Sequence, residues 1–429
     1  MKSNKRCILI ICDSLRRDLI SEATTPTLAR LAARGHWYAD VRGVFPSTTR
    51  TSSSSIATGC LPARHGLLGN TMLLEEPGGL RCHSVGDPAF RERLRALTGR
   101  TLHAPTLAEH VSAHGGACIM SNVSAGAAYF HDPDEHGEVY HRAGSYGPGG
   151  VPYAGARGLD VASGAQGDAA MTERFCARLQ APDAPVVATL WLSEPDHTGH
   201  AHALGSSAHL AAIGHADACV ARVLRTVAAL REAGQDILVM VGSDHGMETV
   251  VGEIDVGQDL VAAGLKAAAG SRDVVVAPNG SACIVGVSAA ARDRVPALLE
   301  HLARQPWCGA VFHGEALATL GLPVGTTTCT IAIAMRHTDD ANAHGVRGGT
   351  WIATDPSEGK SYGGHGQHGG LGGFEQSPFL IVEGGGYADG RIHAHRVSLI
   401  DYAPTMLRHL GLPHGDMDGT PLPLPAEAA

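Results

Sequence analysis

The segment RCILIICD, residues 6–13, constrains the fold more than any other. Its six consecutive apolar residues, Cys7 to Cys12, leave no polar face. Such a strand has to be covered on both sides, as central strands of a parallel sheet are. The pattern returns in APVVATLWLSE (184–194) and DILVMVGSD (236–244), and each run stops at or just before an acidic residue: Asp13, Asp196 and Asp244. Helical periodicity fills the intervals, from Pro26 to the stop at Gly35, over 104–115, over 168–180 and over 205–233. Strands alternating with helices of this length predict an α/β fold with a mostly parallel sheet and helices on both faces. Open sheets of this kind bind ligands beyond the carboxyl ends of their strands, where the three aspartates fall.

Further strands are predicted at WYADVRGVF (37–45), ACIMS (117–121), TWIATD (350–355) and PFLIVEG (378–384), with a closing helix in SLIDYAPTMLRHLG. Residues 66–104 read as irregular loops, and 123–167, rich in Gly, Pro and Tyr, as a long excursion. Between 250 and 345 the alternation gives way to a mixed pattern. We expect one catalytic core made of 1–250 and 346–429, with 251–345 as an inserted cap subdomain, an arrangement common in α/β chains of this length.

A formal charge of −9 without a long basic run excludes a binder of nucleic-acid polymers. A small anionic substrate stays compatible with that charge if a metal supplies the positive field. The apolar run after the basic start is six residues, too short for a signal-peptide core or a membrane span, and no later run approaches the length a span needs. Ten cysteines without a C-x-x-C pair, mostly inside apolar runs, predict reduced thiols and a cytoplasmic location.

The compositional outlier is histidine, with 25 residues. Placed beside the strand-end aspartates they form a set: Asp13, then Asp196 and His200 in PDHTGH, Asp244 and His245 in SDHG, and His368 in GQHGG. Three carboxylates and three imidazoles are the donor mix that suits two divalent ions such as zinc or manganese. Singly, each aspartate reads as well as a helix cap, and each histidine as a loop residue. His365 competes with His368, which is preferred because HGG leads directly toward the EQSPF strand; His197 reads as a solvated neighbour.

In order along the chain, these motifs resemble those of the alkaline phosphatase superfamily, and HGGLGGFEQSPFLIVEG and DYAPTMLRHLGLPHGDMDGTPL extend the likeness to the C-terminal part. VFPSTTRTSSSSIATGCLPARHGLLGN (44–70) is similar to the nucleophile segment of its type I phosphodiesterase and nucleotide pyrophosphatase group. The resemblance implies a three-layer α/β/α sandwich. It also implies hydrolysis of phosphodiesters, nucleotide pyrophosphates among them, through a covalent phosphothreonine. Its layout puts the nucleophile ten residues before Gly59, at Thr49. One metal would be held by Asp196, His200 and His368, the other by Asp13, Thr49, Asp244 and His245. A threonine hydroxyl needs such a cation beside it to attack phosphorus at neutral pH.

Where that group carries an asparagine three residues after the nucleophile, this chain has Ser52, expected to make a weaker substrate contact. Arg50 is expected to supply charge and Asn70 to line the pocket. The loop after His368 also resembles phosphonoacetate hydrolase, whose lysines after a mid-chain strand have no counterpart in CIMSNVSAGAAYFH (118–131). Carbon–phosphorus bond hydrolysis is therefore an alternative, as are a phosphomonoesterase and a metal-binding regulatory protein on the same fold. A sulfatase is disfavoured, since Cys60 lies on the wrong side of TG. The cap, with His337, Asp339 and Asp340, is expected to shape specificity for a small anionic phosphoester or phosphonate; oligomeric state stays open.

Overall fold

The computed structural model describes residues 4–354 and 359–424. The founding strand Lys5–Cys12 lies between Asp236–Gly242 and Val187–Leu192, parallel to both, and no side chain from Cys7 to Cys12 is more than 1% exposed. The sheet has ten strands: Ile392–Ser398, His36–Arg42, Leu380–Glu383, Asp236–Gly242, Lys5–Cys12, Val187–Leu192, Ala117–Ser121, Glu138–Tyr140, Ser145–Gly147 and Val151–Tyr153, in that spatial order. The five from Asp236–Gly242 to Glu138–Tyr140 are mutually parallel, and the pairings of Leu380–Glu383 and of the last two edge strands are antiparallel.

Alternation along Lys5–Cys12 builds the layers. Cys7, Leu9 and Ile11 pack with Ile56, Leu107, Ala127, Tyr402 and Met406, and so against the helices Thr49–Thr58, Leu107–Val111, Ala125–His131 and Tyr402–Leu410. Ile8, Ile10 and Cys12 pack with Leu28, Leu31, Met171, Phe175, Ile213 and Val220 of Pro26–Arg34, Gly164–Gln180 and Ser207–Glu232. The result is a three-layer α/β/α sandwich, as expected.

Residues 66–104 depart from the irregular loops expected there. They form a hairpin, Thr71–Glu76 with Gly79–Ser84, and the helix Phe90–Thr98. The hairpin turns on Gly78 and Gly79, both at positive φ, and its apolar residues Leu73 and Leu74 pack with Phe90, Leu94, Ala282 and Ile284. The strand MLLE lacks the polar–apolar alternation that marks a half-buried strand, because a second sheet covers it.

That second sheet is antiparallel, in the order Val274–Pro278, Ala282–Val287, Ile331–Met335 and Cys308–His313, with the helices Val256–Ala262 and Val295–Ala303 against one face. A third sheet joins His337–Ala341, Arg347–Ala353, Glu248–Ile254 and Gly366–Gln367. The expected boundary at 250/251 thus falls inside a strand, and the strand expected at 350–355 is Arg347–Ala353; Asp355 lies outside the described residues. All ten cysteines are unpaired, and only Cys82 is not fully buried. Among the described residues no helix is long and apolar enough to cross a membrane.

Candidate active site

The carboxyl ends of the central strands deliver the predicted residues to one place. Lys5–Cys12 ends at Asp13, and Asp236–Gly242 ends just before Asp244 and His245. Val187–Leu192 leads into the short helix Asp196–Gly199, which puts Asp196 and His200 one turn apart on the same side. His368 follows Gly366–Gln367, and Thr49 is the first residue of the helix Thr49–Thr58.

Two clusters of donor atoms result, Asp196 with His200 and His368, and Asp13 with Asp196 and His245, each set lying within 4.8 Å. Asp196 Oδ1 is 3.3 Å from His200 Nε2 and 3.5 Å from His368 Nε2. The far nitrogens are engaged by carbonyls: His200 Nδ1 meets Gly366 O at 3.0 Å, and His368 Nδ1 meets Ser47 O at 2.9 Å. A carbonyl only accepts, so Nδ1 carries the proton in each ring and Nε2 turns its lone pair inward. His245 Nδ1 lies 3.1 Å from Gly246 O, while its Nε2 is 3.2 Å from Thr49 Oγ1, 3.0 Å from Asp244 Oδ2 and 3.7 Å from Asp13 Oδ1.

These donor atoms could hold a cation. Asp244 Oδ2 is buried without a hydrogen-bond partner, although Nε2 of His245 stands so close. Asp13 and Asp244 are fully buried, and burial first, then Asp244 and Asp196, push the Asp13 carboxyl well above its usual range. Burial would raise Asp196 as well, but His200, His368 and His245 outweigh it and hold that carboxyl well below the usual range. Burial likewise opposes charge on His200 and His245, and Asp196 and Asp244 respectively reverse the sign, raising both imidazoles. His368 is lowered, by burial and by His245, whose ring stacks on it at 3.8 Å. Buried carboxylate oxygens and inward-facing imidazole nitrogens with fixed tautomers fit divalent ions such as zinc or manganese. Asp196, expected on one ion only, belongs to both clusters.

Sequence reasoning missed the residues that hold the ligands. The Trp191 indole N–H donates to Asp13 Oδ2 at 2.9 Å. Ser14, at φ 61°, donates its hydroxyl to Asp196 Oδ1 at 2.6 Å and its backbone N–H to Asp244 Oδ1 at 3.2 Å. Neither carries a sequence signal: a tryptophan inside an apolar strand reads as core, and serine is not a residue expected at positive φ. Gly369, at φ 132°, lets the His368 loop pass where a Cβ would meet Asn279 O at 1.9 Å.

A cavity of about 390 Å³ opens over Asp13, Thr49, Asp196, His200 and His368, with Asn70, Asn122, Arg142, His197 and Lys360 also on its walls. A second lobe of about 230 Å³ shares Arg50, Asn70, His200, Lys360 and His368, and adds Asn279, Gln367 and Tyr362. Ser52 lines neither lobe. It is fully buried, and its hydroxyl donates to Asp244 O at 3.4 Å. Asn70 does reach the cleft: its Oδ1 accepts the Arg50 N–H at 3.2 Å, which leaves the amide NH₂ as its free donor type. The Arg50 side chain lies on both walls but spends donors on Asn70 O at 2.7 Å and Ser124 Oγ at 3.3 Å, bracing the Asn70 turn. His197 borders the cavity, whereas His365 and the cap residues His337, Asp339 and Asp340 line neither lobe.

Murine ectonucleotide pyrophosphatase / phosphodiesterase 5 superposes with a TM-score of 0.67 at 16% identity, covering 97% of this chain and 98% of its own. An inactive threonine-to-alanine form of it in complex with AMP gives 0.69 at 16% identity, covering 97% of each chain. The human protein gives 0.65 at 14%, again with 97% of each chain covered. At such identities the likeness speaks for the fold alone. No curated protein matches in sequence. The model of one family, however, type I phosphodiesterase / nucleotide pyrophosphatase, matches residues 7–370, a span that begins in the founding strand and ends just past His368. The chain belongs to that family of phosphodiester-cleaving enzymes.

Proposed function

We propose that this protein hydrolyses phosphodiesters, nucleotide pyrophosphates among them, in two displacements with Thr49 as the nucleophile. The observation that carries the reading is the Thr49 hydroxyl, 3.2 Å from His245 Nε2 and on the wall of the cavity lined by Asp13, Asp196, His200 and His368. Two divalent ions, zinc or manganese, one on Asp196, His200 and His368, the other on Asp13, Asp244, His245 and Thr49, would supply the charge that activates the hydroxyl and stabilises the leaving oxygen. Thr49 Oγ1 forms its bond to phosphorus as the bond to the leaving oxygen breaks, and the hydroxyl proton is passed on to the leaving group or solvent. Water then attacks the phosphothreonine and restores the hydroxyl. Thr49 opens a ten-residue helix, so the amides of the first turn favour the anionic phosphoryl group. The Asn70 amide, rather than Ser52, is placed to donate to a phosphoryl oxygen. The AMP complex of the murine neighbour supports a nucleotide substrate.

Residues 251–345 act in this reading as a cap that shapes the second lobe, to which Asn279 and Gly280 contribute. The unpaired cysteines support a reducing compartment, the cytoplasm.

The test is Thr49→Ala in protein reconstituted with zinc or manganese. Turnover of aryl diesters should fall about a thousandfold or more while bound metal is retained, and acid-quenched native enzyme should carry a phosphoryl group on the Thr49 peptide. Undiminished turnover in the variant would refute the nucleophile. A panel of diesters, monoesters, phosphonoacetate and sulfate esters separates the diesterase from the other chemistries of this site, and inertness toward all of them with metal bound would leave a binding protein.

A further inference from the structure

Arg142 stands on the wall of the Thr49 cavity. It sits in the turn between Glu138–Tyr140 and Ser145–Gly147 and reaches the segment that follows the neighbouring strand Ala117–Ser121. There its NH1 group donates to Asn122 O, to Asn122 Oδ1 at 3.0 Å and to Val123 O at 3.2 Å. These acceptors fix the plane of the guanidinium and leave Nε and NH2 for another partner. Among the described residues no carboxylate forms an ion pair with it, unlike Arg178, which is bound to Glu138 in the neighbouring strand.

The anchor is itself built in. Asn122 Nδ2 donates to Asp168 Oδ1 at 2.9 Å and to Ala162 O at 3.1 Å. Asp168, 2% exposed, also receives Ser193 Oγ at 3.1 Å and the Glu194 N–H at 3.0 Å, two residues before Asp196. One network thus ties the guanidinium to the backbone that presents Asp196. Besides the imidazoles of His197, His200 and His368, the residues lining the two lobes include one aromatic side chain, Tyr362.

We propose that Arg142 is the receptor for an oxyanion carried by the group attached to the reacting phosphorus, a carboxylate or a further phosphate, so that the preferred substrates are phosphoryl compounds with a second negative group. The proposal rests on the reading of the Thr49 cavity as the phosphoryl site. Calorimetry on the zinc-reconstituted protein tests it, with carboxymethyl- and 2-carboxyethylphosphonate each compared with the alkylphosphonate of similar length, ethyl and propyl. At least one carboxylated ligand should bind native protein about tenfold tighter than its counterpart, the gain of one charge-assisted hydrogen bond. That ratio should collapse toward one in Arg142→Ala and stay intermediate in Arg142→Lys, which keeps the charge without the fork. A native ratio near one for both pairs, or a native ratio preserved in Arg142→Ala, overturns the assignment alone. Should Arg142→Ala not fold, a native ratio preserved in Arg142→Lys overturns it. Failure of all four phosphonates to bind native protein overturns the phosphoryl-site reading and the assignment with it.

Discussion

Replacing Trp191 by Phe isolates one hydrogen bond in the site. Trp191 and Asp13 are both fully buried, and the indole N–H meets Asp13 Oδ2 at 2.9 Å. Losing a donor to a charged acceptor costs about 1.5–3 kcal/mol, and the outer partners of metal ligands are worth about 10–100-fold in affinity. Phe also leaves a gap in the core, but that cost falls on the metal-free and metal-loaded protein alike and cancels from the affinity. We therefore expect metal at the Asp13–His245 cluster to bind about 10–100-fold more weakly, with the Asp196–His200–His368 cluster little changed. Direction with pH follows from the Asp13 carboxyl, already raised by burial and by Asp244 and Asp196; the indole bond opposes that rise, so its loss strengthens the proton as a competitor. The loss of affinity should then be larger at about pH 6 than at about pH 8. Competition titration against a chromophoric zinc chelator reads both sites. Affinities within about twofold of native at both sites would refute the reasoning, since the hydrogen bond would then not be setting the ligand.

Asn70→Ala should lower kcat/KM for diesters about a hundredfold, the worth of one donor to a developing oxyanion, whereas Ser52→Ala should change it far less and cost about 1 kcal/mol of stability or below; equal losses in steady-state assays would return Ser52 to the cleft. Glu248 is raised to about 8, by burial first and by Glu375 second. The folded state keeps a proton the unfolded chain releases in the ordinary carboxyl range, so this stability is complete below that range and is lost as pH rises through about 8. Tm should accordingly fall by several degrees more between about pH 5 and pH 9 in native protein than in Glu248→Gln, and parallel curves from scanning calorimetry would contradict this.

The candidate metal ligands are legible because each sits beside a strand or loop whose pattern is local. RCILIICD, DILVMVGSD and PDHTGH announce buried strands or a helical turn, and an aspartate just past a buried strand has one place to go. What the sequence hid depends on partners far along the chain. Ser14 acts on Asp196 and Asp244, 182 and 230 residues away, and Arg142 reaches the cleft only because three short edge strands widen the sheet beyond Ala117–Ser121. The Thr71–Ser84 hairpin carries no strand alternation in the sequence of its first strand, since part of its cover comes from residues after 270. Asn70 and Ser52 follow from the family resemblance alone, and the structure buries the second completely.

His368 and the approach to the nucleophile are stitched together: Ser47 N–H to Gly369 O at 2.9 Å, Gly369 N–H to Ser47 Oγ at 3.1 Å, and His368 Nδ1 to Ser47 O at 2.9 Å. The first partner is made early in synthesis and the second only after the whole second sheet has left the ribosome. A growing chain can lay down the founding strand and Thr49, but the N–H and C=O of buried Ser47 meet their partners only when residues 368 and 369 arrive. The candidate site is in this sense completed last, by the segment that returns His368 to Ser47.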